Sequence, residues 1–212
     1  MFTAMVMAGV FGAILCIVII SGDWYQFTSL RDSASRYGCA LARRRNSVTL
    51  SGSPNLHKHF TKHGLLELPH GLARFLRDQK LIIIRPYYHL FSMRFRTAWP
   101  LKGTIEVLSD GKDLTLELVK RTPWSSTVIT IFWLGLVVIG TIMFVVMFAL
   151  DGGFGSGSGT MLGIGILALG ILVLIFGLIL LSLAYRLEDQ RIMQVYTELQ
   201  DVLAGSKNGT TG

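Results

Sequence analysis

The sequence predicts a membrane protein with three transmembrane α-helices. A small, mostly-β cytoplasmic domain lies between the first and second helices, and an amphipathic helix follows the third. Three observations carry this. Apolar residues are gathered into three long blocks instead of being spread along the chain. Two of those blocks, 125–150 and 160–185, contain no Lys, Arg, His, Asp or Glu. Of the 20 basic residues, 17 lie between the first and second blocks. The expected plan is transmembrane helices over 1–22, 123–150 and 160–185, with a soluble basic domain over 23–122. An external Gly/Ser loop covers 151–159, an amphipathic cytoplasmic helix 186–204, and a disordered tail 205–212.

Each apolar block is about as long as the ~20 residues that carry a helix across a bilayer core, or longer. Backbone groups in hydrocarbon must be paired internally, which selects helix. The first block, 2–20, has no Lys or Arg before it and no small-x-small cleavage site after it. It therefore reads as a retained helix and not a signal peptide. Trp24 and Tyr25 follow at the depth of an aromatic belt. Ala4, Ala8 and Gly12 recur every four residues, a packing face of small side chains.

The third block carries a longer pattern. Gly163, Gly170, Gly177 and Ala184 recur every seven residues, nearly two helical turns, and so form one slowly drifting stripe. Small side chains let a second helix approach closely, which drives association in lipid. The short loop 151–159 makes 125–150 the nearest antiparallel neighbour, and it offers Gly135, Gly140, Thr141 and Ala149. The stripe faces either this hairpin partner or another protein. Gly153, Gly155, Gly157 and Gly159 alternate in the loop. A phosphate-binding loop needs a preceding strand and a soluble helix; here both flanks are apolar spans, so the segment reads as a flexible connection.

Charge sets the orientation. The N-terminus and the 151–159 loop hold no Lys or Arg, whereas Arg186, Arg191 and Lys207 follow the last block. Basic segments stay on the cytoplasmic side. The N-terminus and the loop are therefore expected outside, and the 23–122 domain and the C-terminus inside, in a cytoplasmic (inner) membrane. On that topology the Asn208-Gly209-Thr210 sequon is a chance match.

Strand signals dominate the domain. Segments 104–108 and 114–118 alternate, with Ile105 and Val107 on one face and Leu114, Leu116 and Leu118 on another. Asp110-Gly111 between them is a hairpin signal. The apolar run 81–84 suits a strand buried on both faces. Phe91, Met93 and Phe95 alternate with Ser92, Arg94 and Arg96, suiting a strand with one wet face. Segments 37–42 and 48–50 are weaker strands. Segment 72–76 reads either as a helix begun by Pro69 or as a strand paired with 81–84, and the strand is preferred. About six short strands imply a barrel- or sandwich-like domain. A pleckstrin-homology-like barrel is compatible with that, as an analogy of fold. In the C-terminal helix, Ile192, Val195, Tyr196, Leu199, Val202 and Leu203 share one face, with Glu188, Asp189, Glu198 and Asp201 on others.

Chemistry is sparse. His57, His59 and His63 are the nearest approach to a metal site, but Lys58 and Lys62 stand among them and the first carboxylate is Glu67. No metal and no cofactor are expected. No nucleophile–base pair marks an enzyme, and spans without ionisable groups lack the side chains that ion and proton pathways use. Cys16 and Cys39 form no disulfide framework. The domain counts 17 basic against 8 acidic residues. Arg43, Arg44 and Arg45, with Arg94 and Arg96, are the residues expected to meet an anionic surface. The reading that follows is a non-catalytic accessory, scaffold or assembly subunit of a larger membrane complex. Its partners are membrane lipids and other membrane-protein subunits, not nucleic acid. Two alternatives stand beside it: a tethered module sensing an anionic ligand or lipid head groups, and a non-pore component of a transporter.

Overall fold

The computed structural model describes residues 2–49, 59–76, 78–87, 97–110 and 113–204. The element order is α1 (Phe2–Thr28), β1 (Cys39–Thr49), β2 (Leu65–Leu68), β3 (Gly71–Leu76), β4 (Leu81–Pro86), β5 (Lys102–Asp110), β6 (Asp113–Thr122), α2 (Trp124–Leu150) and α3 (Gly157–Leu203). Each of the three helices is long and apolar enough to cross a membrane. The chain divides into two compact units: Met1–Ser125 with Leu187–Gly212, and Ser126–Arg186.

In the first unit the described strands form one antiparallel six-stranded sheet, ordered β1-β6-β5-β4-β3-β2. Strands β2 to β6 are consecutive neighbours, and β1 joins at the β6 side. The expected pairing of 72–76 with 81–84 is present, Ala73 lying opposite Ile84 and Leu76 opposite Leu81. The two weak strands at 37–42 and 48–50 are instead one strand, Cys39–Thr49. Three arginines interrupt its apolar alternation, but a strand at the sheet edge tolerates them. The expected strand over 91–95, with Arg94 and Arg96, lies outside the described residues, as do Leu50, His57 and the tail from 205.

Strand register sorts the side chains onto two faces, because successive residues point to opposite sides. Ile105 lies opposite Leu118 and Val107 opposite Leu116. The apolar sets of β5 and β6 therefore share one face, contrary to the separate faces expected from sequence. Antiparallel pairing places directly opposed residues on the same side of the sheet. Ile82, Ile84 and Ala73 continue this apolar face, and all are fully buried. The end of α3 covers it: a Cβ at Gly71 would come within 2.7 Å of Val195 Cγ2. Ile192, Val195, Tyr196 and Leu199 are fully buried as well. So is Glu188, at 2 % exposure, though sequence periodicity sets it away from the apolar stripe.

The opposite face carries Lys102, Thr104, Arg74, Arg85 and Arg121 beside Leu76, Leu81 and Ile83. The last turn of α1 and the segment 29–38 lie against it, with Leu30 packed on the Leu76–Leu81–Ile83 cluster. Helix α1 runs six residues beyond the expected span, to Thr28. Its final residues thus belong to the sheet assembly.

The second unit is the α2–α3 hairpin. Its connection makes local contacts of its own. Gly153–Gly155 form a 3-10 turn, the Phe154 ring meets Phe148 edge-on at 5.1 Å, and Thr160 Oγ1 donates to Phe154 O at 3.1 Å. Helix α3 begins at Gly157 and is continuous through Leu203.

Candidate functional site

A helix leaves its last four carbonyls without intrahelical partners. At the end of α1 those groups cannot all meet water, because Phe27 is fully buried. Basic side chains from the sheet supply the donors. Lys102 Nζ donates to Phe27 O at 3.1 Å and to Ala34 O at 2.6 Å. Arg85 Nη1 donates to Thr28 O at 2.6 Å, and Arg74 Nη1 to Leu30 O at 2.9 Å. Arg121 Nη1 reaches Gly38 O at 3.1 Å, and Thr104 Oγ1 reaches Ser35 O at 2.8 Å. The α1 terminus is the negative end of the helix dipole, so cations suit it.

Lys102 is fully buried, 4.9 Å from the centroid of the Phe27 ring. Burial, and then the neighbouring Arg121 and Arg85, push its pKa down from 10.5 to about 8. Arg121 is also lowered, first by burial and then by Arg36 and Arg43. Nothing in the sequence marked Lys102. It alternates with apolar neighbours as a water-facing strand residue would, and only the covering segment 29–38 makes it internal.

A second junction lies near the end of α1. Asp23 accepts from Tyr37 Oη at 2.6 Å, from Ser125 Oγ at 2.6 Å and from the Ser125 backbone N–H at 2.9 Å. The carboxylate thus meets the first turn of α2, where exposed N–H groups favour an anion. The hydrogen bond to Asp23, followed by burial and the Asp23 charge, raises the Tyr37 pKa from 10.0 to about 12. On the other face of the sheet, Lys120 pairs with Asp189 of α3. Glu188 accepts from Thr97 Oγ1 at 3.0 Å and from Arg191 Nη1 at 2.8 Å.

Of the arginines singled out by sequence, Arg43, Arg44 and Arg45 lie on β1. Arg43 and Arg45 approach the two oxygens of Glu117 at 3.9 and 3.7 Å, with side chains 72 % and 68 % exposed. Arg44 points to the other face, 3.9 Å from Met193 Sδ. Glu117 lies opposite Glu106, which in turn holds Arg36 at 3.0 Å. Two acids directly across a ladder repel each other, and these arginines offset that.

His59 and His63 are exposed. No group of three His, Cys, Asp or Glu side chains placed to hold a metal occurs among the described residues. A different histidine finds a partner: His70 Nδ1 contacts Glu198 Oε1, and its backbone N–H donates to Oε2 at 3.2 Å. In the hairpin, a Cβ at Gly163 would collide with Phe154, one at Gly170 with Thr141, and one at Gly177 with Trp133. Ala184 is buried. Side chains of α2 and the loop therefore fill the first three notches. Gly135 and Gly140 face open space, whereas Thr141, also expected from sequence, meets Gly170.

Comparisons of the chain with protein-family models, with curated proteins and with solved structures find no match.

Proposed function

We propose that this chain is a non-catalytic accessory or assembly subunit of a larger membrane complex, built to hold a rigid surface beside the bilayer. The observation that supports it is the junction at the end of α1. Lys102, Arg85 and Arg74 bond carbonyls of Phe27, Thr28 and Leu30, so the domain is joined to its membrane helix without a free linker. A tethered sensor gains from a flexible linker that lets it search; a scaffold gains from fixed geometry. Four of the domain's 17 basic residues, Lys102, Arg74, Arg85 and Arg121, are committed to backbone carbonyls and so are not part of a free basic surface. On this reading the chain sits in a cytoplasmic membrane with its N-terminus and the 151–159 loop outside, and the sheet and the end of α3 inside. The exposure of Arg43 and Arg45 favours the rival reading, in which the domain binds anionic head groups.

Extraction in mild detergent, followed by light scattering and gel stoichiometry, separates the two. A second protein in fixed ratio is expected. A lone chain that binds anionic vesicles and releases them as salt rises would overturn the scaffold reading. The orientation has its own test. In a background lacking Cys16 and Cys39, a cysteine at Ser156 reacts with an impermeant thiol reagent on whole cells and one at Ser109 does not. The reverse pattern inverts the topology.

A further inference from the structure

We infer that the edge of β1 around Arg43, Arg44 and Arg45, which no described strand covers, is a docking strand for an acidic, extended segment of a partner subunit, which adds to the sheet alongside it. The inference rests on the scaffold reading and names the surface that reading requires. Strand β1 is 11 residues long and ends the sheet order, paired with β6 on one side. No strand among the described residues pairs with its other side. Such an edge is a ready template for another chain.

The register is interrupted between Ala40 and Ala42, which leaves Leu41 as the extra residue, 46 % exposed. Pairing with β6 resumes beyond the bulge at Ala40 and Cys39, but the bulge bends the strand there, so the regular stretch of the edge is 42–49. Charge then selects the occupant. Arg43 and Arg45 stand on the α1 face of the strand and Arg44 on the α3 face. Both sides of the edge are therefore positive. A second copy pairing antiparallel about Arg44 would set Arg44 against Arg44 and Arg43 against Arg45, and like charges directly opposed are destabilising. An acidic strand meets an opposite charge at each of the three positions. Glu117 does not saturate the arginines, since one carboxylate serves both Arg43 and Arg45 and each guanidinium has five donors. Main-chain bonds would supply affinity and the alternating side chains specificity, the usual division in strand addition. A charged edge that refuses its own kind and accepts an acidic strand is specific through both repulsion and attraction.

The test uses the full chain in nanodiscs of neutral lipid. The probe is a short fluorescent peptide with three consecutive glutamates flanked by valine and threonine. Saturable binding is expected, with slowed amide exchange over 42–49. Changing Arg43, Arg44 and Arg45 together to Glu should weaken binding about tenfold or more, the size that three opposed-charge pairs supply together. A peptide with lysines in place of the glutamates should then bind the variant, which also shows that the variant is folded. Equal binding of a peptide of the same charge with prolines at alternate positions would overturn the inference, because it leaves only unspecific attraction. So would absence of peptide binding alongside arginine-dependent binding to phosphatidylglycerol vesicles. Retention of a co-purified subunit in unchanged ratio by the triple variant would reject β1 as its dock and leave the scaffold reading standing. A wild-type chain that purifies alone removes both.

Discussion

In the α2–α3 hairpin, backbone groups are bonded along each helix, and the two helices meet where glycines admit Phe154, Thr141 and Trp133. Around the sheet, the chain leaving α1 has no regular partner for its carbonyls, and Lys102, Arg85, Arg74 and Arg121 provide one. The first region is joined by shape and the second by charge-assisted hydrogen bonds. Shape complementarity suits hydrocarbon, where lipid tails remove any hydrophobic drive to associate. Cation-to-carbonyl bonds suit the covered sheet face, where an unpaired carbonyl costs about 1–3 kcal/mol. The two joints should therefore break differently. One should respond to volume and ignore pH, and the other should respond to pH.

The largest expected effect is in the hairpin. Gly170→Leu drives a side chain into Thr141, whose Oγ1 is held on Val137 O at 2.7 Å. Overpacking of this kind costs about 1–3 kcal/mol, occasionally more. Gly165, on the same helix, has nothing within 4 Å of an added Cβ, so Gly165→Leu should be nearly silent. Thermal stability of the two variants in one detergent makes the comparison. Equal stability would mean that the glycine notches do not hold the hairpin.

Next is the pH response of the sheet face. Lys102 has a folded pKa of about 8 against 10.5 for the free side chain. Between those values the unfolded chain binds more protons, so this contribution to stability rises with pH from about 8 to 10.5. The gain is about 3 kcal/mol across the window. Tyr37 acts in the opposite sense. Its folded pKa of about 12 lies above the ordinary 10.0, so its contribution is complete below pH 10 and is lost as pH rises through about 12. Denaturant unfolding followed from pH 7 to 11 should show the rise, and Lys102→Met should flatten it. A variant with an unchanged pH profile would place the titration elsewhere.

The same contrast decides what could be read from the sequence. The hairpin was legible because a seven-residue glycine spacing survives without any knowledge of its neighbour. What fills the notches was legible only in part: Thr141 was among the residues named as facing them, but Trp133 and Phe154 were not. The strand 81–84 was legible as a continuous apolar run, and 104–108 and 114–118 from alternation and from Asp110-Gly111. Which face was wet was not. Lys102, Thr104 and Glu106 alternate as solvent-facing residues do, yet Lys102 and Thr104 lie under a non-repetitive segment, 29–38, whose path no periodicity announces. Arg43 and Arg45, expected from the sequence to meet an anionic surface, are exposed, while Arg74 and Arg85, part of the same basic count, bond carbonyls.

A smaller effect belongs to the other face of the sheet, where Lys120 meets Asp189. Lys120 is 8 % exposed and Asp189 29 %. Asp189→Asn leaves the ammonium with a weaker partner, and a loss of about 1–2 kcal/mol is expected, below the cost of breaking a fully buried pair. Amide exchange over 189–203 should quicken while exchange within the hairpin does not. Uniform quickening would show that the end of α3 is not a separate joint.

The smallest effect is the one that separates structural from available charge. Arg43 and Arg45 hold Glu117 at 3.9 and 3.7 Å from largely exposed positions. Exposed ion pairs of this geometry contribute at most about 1 kcal/mol. Changing both to Gln also leaves Glu117 opposite Glu106 with less compensation, which adds a few tenths at roughly the scale of a like-charge cross-strand pair. The double change should therefore lower unfolding stability by less than about 1 kcal/mol at low salt and by almost nothing at high salt, where exposed charges are screened. Arg85→Gln offers the contrast, because its donor to Thr28 O is partly buried under the covering segment, where salt screens charge less. If the Arg43 and Arg45 pair proves as costly as Arg85 and equally insensitive to salt, those arginines are part of the joint and not free for a partner. If they prove as cheap as expected, β1 carries charge that the fold itself does not need.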